Sequence, residues 1–229
     1  MKEITIMIDS GSRPFLLEQT LPTIVSSMKY QGPLRWIFHE VWIDSDLSRE
    51  NLKFISSNYP EFEIMEQRNP KGEGISINNV LTETKTKYFV HWEDDFIALR
   101  DIPLDDSVSI MESSPDVNQI AFNRRDTMVN CSDFFKKEII TKDGFKLVTS
   151  PHWRYTPAIW NLDWIIPRWE VYEGNNSHWH INKKLQKDCG DKTADWVIEN
   201  MGTYYFGKFD EKAFCKHVGD GYSNRNPKI

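Results

Sequence analysis

The sequence predicts an α/β fold: one domain built on a mixed, mostly parallel sheet with helices on both faces. Two observations predict it. Over the first 95 residues short β-branched runs alternate with segments of helical periodicity, and three of those runs end in polar clusters, at Asp9-Ser10, Asp44 to Asp46 and Glu93-Asp94-Asp95. Alternating strands and helices imply parallel strands joined by crossovers that cover the sheet. Such sheets hold ligands where the carboxyl ends of the strands meet their loops. The three clusters, distant in sequence, should therefore converge on one rim.

The elements follow in chain order. Ile4 to Ile8 is a buried strand that ends at Asp9-Ser10-Gly11-Ser12. Pro14 opens a run with apolar residues at Leu17, Leu21, Ile24, Val25 and Met28, close to helical spacing but interrupted by Pro22. Trp36 to Ile43 is the second strand, and Leu52, Phe54 and Ile55 lie on a helix stopped at Asn58-Tyr59-Pro60. Phe62 to Met65 is a third strand. After the Gly72-Glu73-Gly74 break, Ile75, Ile77, Val80 and Leu81 mark a helix, and Tyr88 to Trp92 is the strand that delivers the acidic tripeptide. The second half is less regular: a strand at Gln119 to Phe122, an aromatic segment from His152 to Trp169, and a helix around Trp179 to Leu185. The Gly-punctuated stretch from His217 to Arg225 reads as a loop.

Composition bounds the function classes. A chain of 229 residues with 11 Gly and 11 Pro suffices for one domain with a buried core. A net charge of −6 provides no global basic field, so a polyanion would have to be met by a local patch such as Arg124-Arg125. Cys131, Cys189 and Cys215 are too few and too dispersed for a zinc ribbon or a CxxC pair and read as free thiols in a reducing compartment. The apolar stretch near Met1 is far too short for a secretory signal, and no window approaches the roughly 18–20 apolar residues of a membrane span. A soluble, cytoplasmic protein is the expectation.

Three adjacent carboxylates after a strand repel one another, and solvent, a cation or protonation must offset that cost. A hard divalent ion, Mn²⁺ or Mg²⁺, takes oxygen ligands and keeps open positions that phosphate oxygens can fill. The alternative is a solvated acidic turn, but a place at the end of an apolar strand on the ligand rim favours the metal.

Four motifs then carry a resemblance: Ile4 to Pro14 (ITIMIDSGSRP), Val41 to Asp46 (VWIDSD), Gly72 to Leu81 (GEGISINNVL) and Phe89 to Asp95 (FVHWEDD). In order and spacing they resemble the nucleotide-binding half of the family-2-like glycosyltransferases of the GT-A fold. Phe206-Gly207 ahead of the His217 to Arg225 stretch is similar to the His-x-Gly loop near the C-terminus of many such enzymes. The resemblance implies a nucleotide-sugar-binding half over 1–95 and an acceptor-binding half over 96–229. It implies a UDP-, GDP- or TDP-sugar donor held by Ser10, Arg13, Asp44 and Asp46, with Asn78 on the helix bordering the donor. Asp95 would be the principal metal ligand, with Glu93 and Asp94 near the ribose, the metal-bound waters or the sugar. His217 would reach the metal or diphosphate, and Arg225 would neutralise phosphate charge. Each has a plainer alternative: Arg13 pairing with a nearby acid, Asn78 capping or packing, His217 as a surface residue.

The departures from the family bear on mechanism. Where many inverting members carry an acidic general base, this chain reads Gly174 to Asn182 with His178 and His180. His178 could be the base, since imidazole titrates near neutrality, and Asp195 is its rival. His178 and His180 lack an evident third ligand for a metal pair. Trp153, Trp160, Trp164, Trp169 and Trp179 could line an acceptor cleft or simply form core. Two further functions stay open: a sugar nucleotidyltransferase, for which Asp9 to Arg13 is a poor nucleotide loop, and a non-catalytic nucleotide- or carbohydrate-binding domain. A saccharide acceptor is favoured, with a protein side chain or a modified nucleobase in nucleic acid as alternatives.

Overall fold

In the computed structural model the described residues are 1–68, 73–122, 138–141, 144–150, 153–155, 157–169, 202–207 and 212–219. The first strand, β1 (Ile4–Ser10), pairs in parallel with β3 (Leu34–Val41) on one side and β5 (Tyr88–Glu93) on the other, and β3 pairs in parallel with β4 (Glu63–Gln67). Between them run α1 (Pro14–Ser27), α2 (Ser45–Asn58) and α3 (Glu73–Glu83). The alternation read from the first 95 residues is thus the observed one. Beyond β5 the sheet continues through β11 (Ala158–Asn161), β8 (Gln119–Ala121), β12 (Thr203–Phe206), β10 (Lys146–Thr149) and β9 (Glu138–Ile140), in the order β4-β3-β1-β5-β11-β8-β12-β10-β9. Only β11 and β10 run against the rest, so the nine-stranded sheet is mixed and mostly parallel. It is continuous across both halves of the sequence.

Pleating sends successive residues of β1 to opposite faces. Ile4, Ile6 and Ile8 pack with Leu17, Leu21 and Ile24 of α1 and Ile55 of α2. Met7 packs with Ile37 and with Ile77, Val80 and Leu81 of α3. Helices therefore cover both faces of this half. The α1 helix runs through Pro22 without a break, because its Leu17, Leu21 and Ile24 stripe is fully buried and tertiary packing overrides the one lost hydrogen bond.

Two short ribbons stand off the main sheet. β2 (Met28–Lys29) pairs with β7 (Ile102–Pro103), which leads into α4 (Leu104–Ser113). β6 (Phe96–Ala98) pairs antiparallel with β13 (Cys215–His217). His217 thus ends a strand rather than sitting in the predicted loop, whose later residues lie outside the described ones. Short β6 follows directly on Glu93-Asp94-Asp95, so the ribbon ties the C-terminal segment to the acidic run. The Cys215 thiol is buried and donates to the Phe122 carbonyl at 3.0 Å, while Cys131 and Cys189 lie outside the described residues.

The aromatic segment answers mainly to core. Trp153 and Trp160 are buried, with ring centroids 5.3 Å apart; Trp164 stacks on Trp153 and Trp169 tilts over Trp160. Trp160 sits on β11, and α5 (Leu162–Ile165) with the 3₁₀ turn Ile166–Arg168 carries Trp164 round against it. Trp179 and the predicted 179–185 helix lie outside the described residues. Among the described residues no helix is long and apolar enough to cross a membrane.

One glycine is indispensable to the mixed half. Gly202 has φ +60°, and a Cβ there would lie 2.0 Å from the Asp116 carbonyl oxygen and 2.5 Å from Asn118 Nδ2. Its own carbonyl accepts from the Asn118 and Gln119 amides at 2.7 and 3.0 Å, which sets β12 beside β8. Gly202→Ala is expected to destabilise by about 2–4 kcal/mol through strain and clash. A melting temperature lowered by roughly 5–10 °C checks this.

Candidate functional site

The site is built from loops at the carboxyl ends of β1, β3 and β5. The Asp94 amide donates to the Asp9 carbonyl at 3.0 Å, which carries the β1–β5 pairing one step past the strand end. The Asp94 carbonyl accepts from Thr20 Oγ1 of α1 at 2.7 Å, and its side chain is fully buried. Oδ2 accepts from Ser10 Oγ at 2.6 Å. Arg13, at the N-cap of α1 but with no capping hydrogen bond from its side chain, turns its guanidinium to both carboxylates. Nε reaches Asp94 Oδ2 at 3.3 Å, Nη2 donates to Asp94 Oδ1, and Nη1 donates to Asp95 Oδ2 at 2.9 Å.

Asp95 also receives the C-terminal segment. His217 Nε2 lies 3.3 Å from Oδ2, and the Val218 amide donates to the Asp95 carbonyl at 2.8 Å. Gly219 closes on it so tightly that a Cβ would lie 2.6 Å from Oδ2. The other oxygen, Asp95 Oδ1, is buried and has no hydrogen-bond partner among the described residues.

The electrostatics divide the acidic run. Burial pushes the Asp94 carboxyl up to about 7, with neighbouring Asp95 adding to the rise and Arg13 and Ser10 pulling against it. Asp95 is held below the ordinary aspartate range: burial would raise it, but the His217 hydrogen bond and the Arg13 charge outweigh that. Burial works against the Arg13 charge, yet Asp94 and Asp95 more than offset it and keep the guanidinium protonated.

A second carboxylate, absent from the sequence-based set, holds the loops in place. Glu40 on β3 is fully buried and accepts from the Ser12 amide at 2.9 Å, Ser48 Oγ at 2.7 Å and Asn51 Nδ2 at 2.9 Å. Burial raises its pKa against those three hydrogen bonds. Ser12 has φ 57°, an uncommon conformation for a residue with a Cβ, and its hydroxyl accepts from the Ile43 and Asp44 amides at 3.0 and 2.9 Å. The sequence carries only half of this arrangement: Ser48 and Asn51 share a helix face with Ile55, but nothing in it joins that face to Glu40 on β3.

The expected residues distribute as follows. Ser10, Arg13, Asp94, Asp95 and His217 come together. Asp44 stands nearby but its carboxylate N-caps α2, accepting from the Asp46 and Leu47 amides at 2.9 and 3.1 Å. Asp46 is exposed and pairs with Arg49. Glu93 is in register with Asp9, on the face opposite Asp94. Asn78 lines a groove of about 430 Å³ on that opposite face with His39, Met65 and Asn79, where His39 Nδ1 lies 2.8 Å from Asp9 Oδ1. The expected metal trio of Glu93, Asp95 and His217 is not assembled: among the described residues no three His, Cys, Asp or Glu side chains gather to hold an ion, because the pleat turns Glu93 away. Asp95 and His217 remain as a pair. His178, His180, Asp195 and Arg225 lie outside the described residues.

No protein-family model matches the chain, and comparison with curated proteins finds no relative. Solved structures do resemble it. A mannosyltransferase, PcManGT, from Pyrobaculum calidifontis in complex with GDP-Man and Mn²⁺ superposes with a TM-score of 0.55 at 13% identity, covering 94% of this chain and 56% of its own. S. aureus TarS gives a TM-score of 0.61 at 11% identity, covering 95% and 37%. GalNAc-T7 with UDP, GalNAc and Mn²⁺ gives 0.60 at 7% identity, covering 95% and 44%. The chain therefore spans from about a third to a little over half the length of these structures. At such identities the likeness establishes the fold, and the fold is GT-A.

The raised pKa of Glu40 has a consequence for stability against pH. A carboxyl raised on folding contributes stability that is fully present below its unfolded value, near 4.5, and is lost as pH rises through the folded value. Glu40→Gln cannot ionise, and Asn51 Oδ1, which is unpartnered, can accept from the introduced amide. Thermal melts from pH 4 to 8 should show the variant gaining on the wild type as pH rises; parallel curves would contradict the argument.

Proposed function

We propose that the chain is a metal-dependent glycosyltransferase that moves a sugar from a UDP-, GDP- or TDP-sugar to an acceptor hydroxyl, with Asp95 at the centre of the reaction. One observation carries the reading. On a GT-A sheet, Asp94 and Asp95 just past the end of β5 gather with Ser10 at the end of β1, with Arg13 after it and with His217 from β13, and Asp95 Oδ1 is left buried without a partner among the described residues. An unsatisfied buried carboxylate oxygen is costly, and Mn²⁺ or Mg²⁺ is the hard cation that such an oxygen suits. Asp95 and His217 would hold the ion, whose charge would offset the negative charge gathering on the departing diphosphate. That PcManGT and GalNAc-T7 are both solved with Mn²⁺ supports the choice.

The chain's own residues divide the remaining work. Asp94, locked by Ser10 and Thr20, fixes the Arg13 fork and so sets the position of Asp95. Gly219 brings backbone against Asp95 where a side chain would collide with its carboxylate. The nucleoside would rest across the strand ends between Asp44 and the groove lined by His39 and Asn78. His178 or Asp195 would take the acceptor proton. A saccharide is the proposed acceptor, and a hydroxylated nucleobase is the alternative that the same assay includes.

Thermal-shift screening against UDP, GDP, TDP and their sugars, with and without Mn²⁺, should raise the melting temperature for one nucleotide series. Hydrolysis of the matching nucleotide sugar should follow and should fall about a hundredfold or more in Asp95→Asn, the loss expected when several kcal/mol of charge stabilisation is removed. Undiminished turnover by a folded Asp95→Asn would sink the metal role. Release of pyrophosphate from a nucleoside triphosphate and a sugar phosphate would instead identify a nucleotidyltransferase.

A further inference from the structure

The guanidinium of Arg13 stands where a cation is needed. Its side chain is 17% exposed, and its fork satisfies both oxygens of Asp94 and one of Asp95. The Asp95 carboxylate is thereby split: Oδ2 is shared by Arg13 and His217, while Oδ1 has no partner among the described residues. A divalent ion arriving at Oδ1 would share this carboxylate with a fixed positive charge 2.9 Å from its other oxygen. Two cations on one carboxylate repel, and the low-dielectric setting weakens that repulsion little.

We propose that Arg13 is a built-in counter-ion of the acidic site: it neutralises Asp94 and Asp95 when no metal is bound and competes with the metal for Asp95. The inference rests on the metal reading above and adds a specific role for this residue. Arg13 remains anchored on Asp94 through Nε and Nη2 when Nη1 lets go of Asp95, so the exchange needs only a small rotation of the fork. The site then never holds two uncompensated adjacent carboxylates, and metal affinity is set by what Arg13 concedes. Arg13 is a positioning residue, so its test reads metal binding directly rather than turnover.

The experiment titrates Mn²⁺ into the full chain by calorimetry and by loss of the free-ion electron paramagnetic resonance signal, with circular dichroism as a check on folding. Arg13→Gln is expected to bind Mn²⁺ at least about tenfold more tightly than wild type. It should also melt at lower temperature without metal and recover more on adding it. Arg13→Lys, which keeps the charge but cannot fork to both acids, should lie between. If Arg13→Gln does not fold, the double variant R13Q/D94N removes both members of the buried pair and should show the same tightening. Wild-type binding that is lost in Asp95→Asn but unchanged or weakened in the Arg13 variants would overturn the counter-ion role alone. No Mn²⁺ binding by wild type or any variant would overturn it together with the metal reading.

Discussion

Two carboxylates buried at consecutive positions past the end of a strand need compensation, and Arg13 brings positive charge to both. An uncompensated buried charge costs several kcal/mol, so the placement of Arg13 constrains everything joined to it. It explains why the N-cap of α1 is an arginine that makes no cap: Pro14 starts the helix unaided, since it needs no amide partner there. It also explains why Thr20, two turns into the same helix, reaches back to the Asp94 carbonyl. The helix is tied to the acidic run at both places, and its apolar stripe can then bury against β1 and β5 without shifting along them.

The same interaction is one link in a longer chain of hydrogen bonds. Asn51 Nδ2 donates to both Glu40 Oε2 and Ser10 Oγ. Ser10 Oγ donates to Asp94, Asp94 holds Arg13, Arg13 holds Asp95, and Asp95 meets His217. The network thus runs without a gap from α2, through the ends of β1 and β5, to the C-terminal ribbon. Buried polar networks of this kind are costly when partly satisfied and rigid when complete. Among the described residues, two of its buried carboxylate and amide oxygens, Asp95 Oδ1 and Asn51 Oδ1, have no partner. A site that must hold a ligand within a few tenths of an ångström gains from such support. The left-handed Ser12, whose hydroxyl collects the Ile43 and Asp44 amides, fastens the β1 loop to the start of α2 by the same logic.

The parallel half of the sheet was legible because its central strands β1 and β5 are buried and mostly apolar on both faces and α1 shows a clear buried stripe. The convergence of Asp9-Ser10, Asp44 and the acidic run at one rim followed from that alternation alone. Three things were not legible. Glu40 reads as a surface residue until the burial of its strand is known, and its partners come from two different elements. His217 read as a loop residue because a three-residue ribbon has no periodicity to detect, and β6 is as short. The resemblance set Asp95 apart as the metal ligand but put Glu93 and Asp94 together near the donor, whereas strand geometry sends those two to opposite faces.

That division decides how the tripeptide can act. In a strand consecutive side chains leave opposite faces, and β5 keeps this alternation up to its last residue. Glu93 therefore goes with Asp9 and His39 to the face covered by α3, beside the groove that Asn78 lines. Asp94 goes with Ser10 and Glu40 to the face of α1 and α2 and is consumed there by Arg13. Asp95 lies past the strand end, free of the pleat, between Arg13, His217 and Gly219. A run of three like charges thus becomes three environments, one per face and one at the edge. Of the two buried aspartates, Asp94 has both oxygens held while Asp95 keeps one without a partner among the described residues, so substitution at Asp94 acts through the fold and substitution at Asp95 leaves more of the network standing.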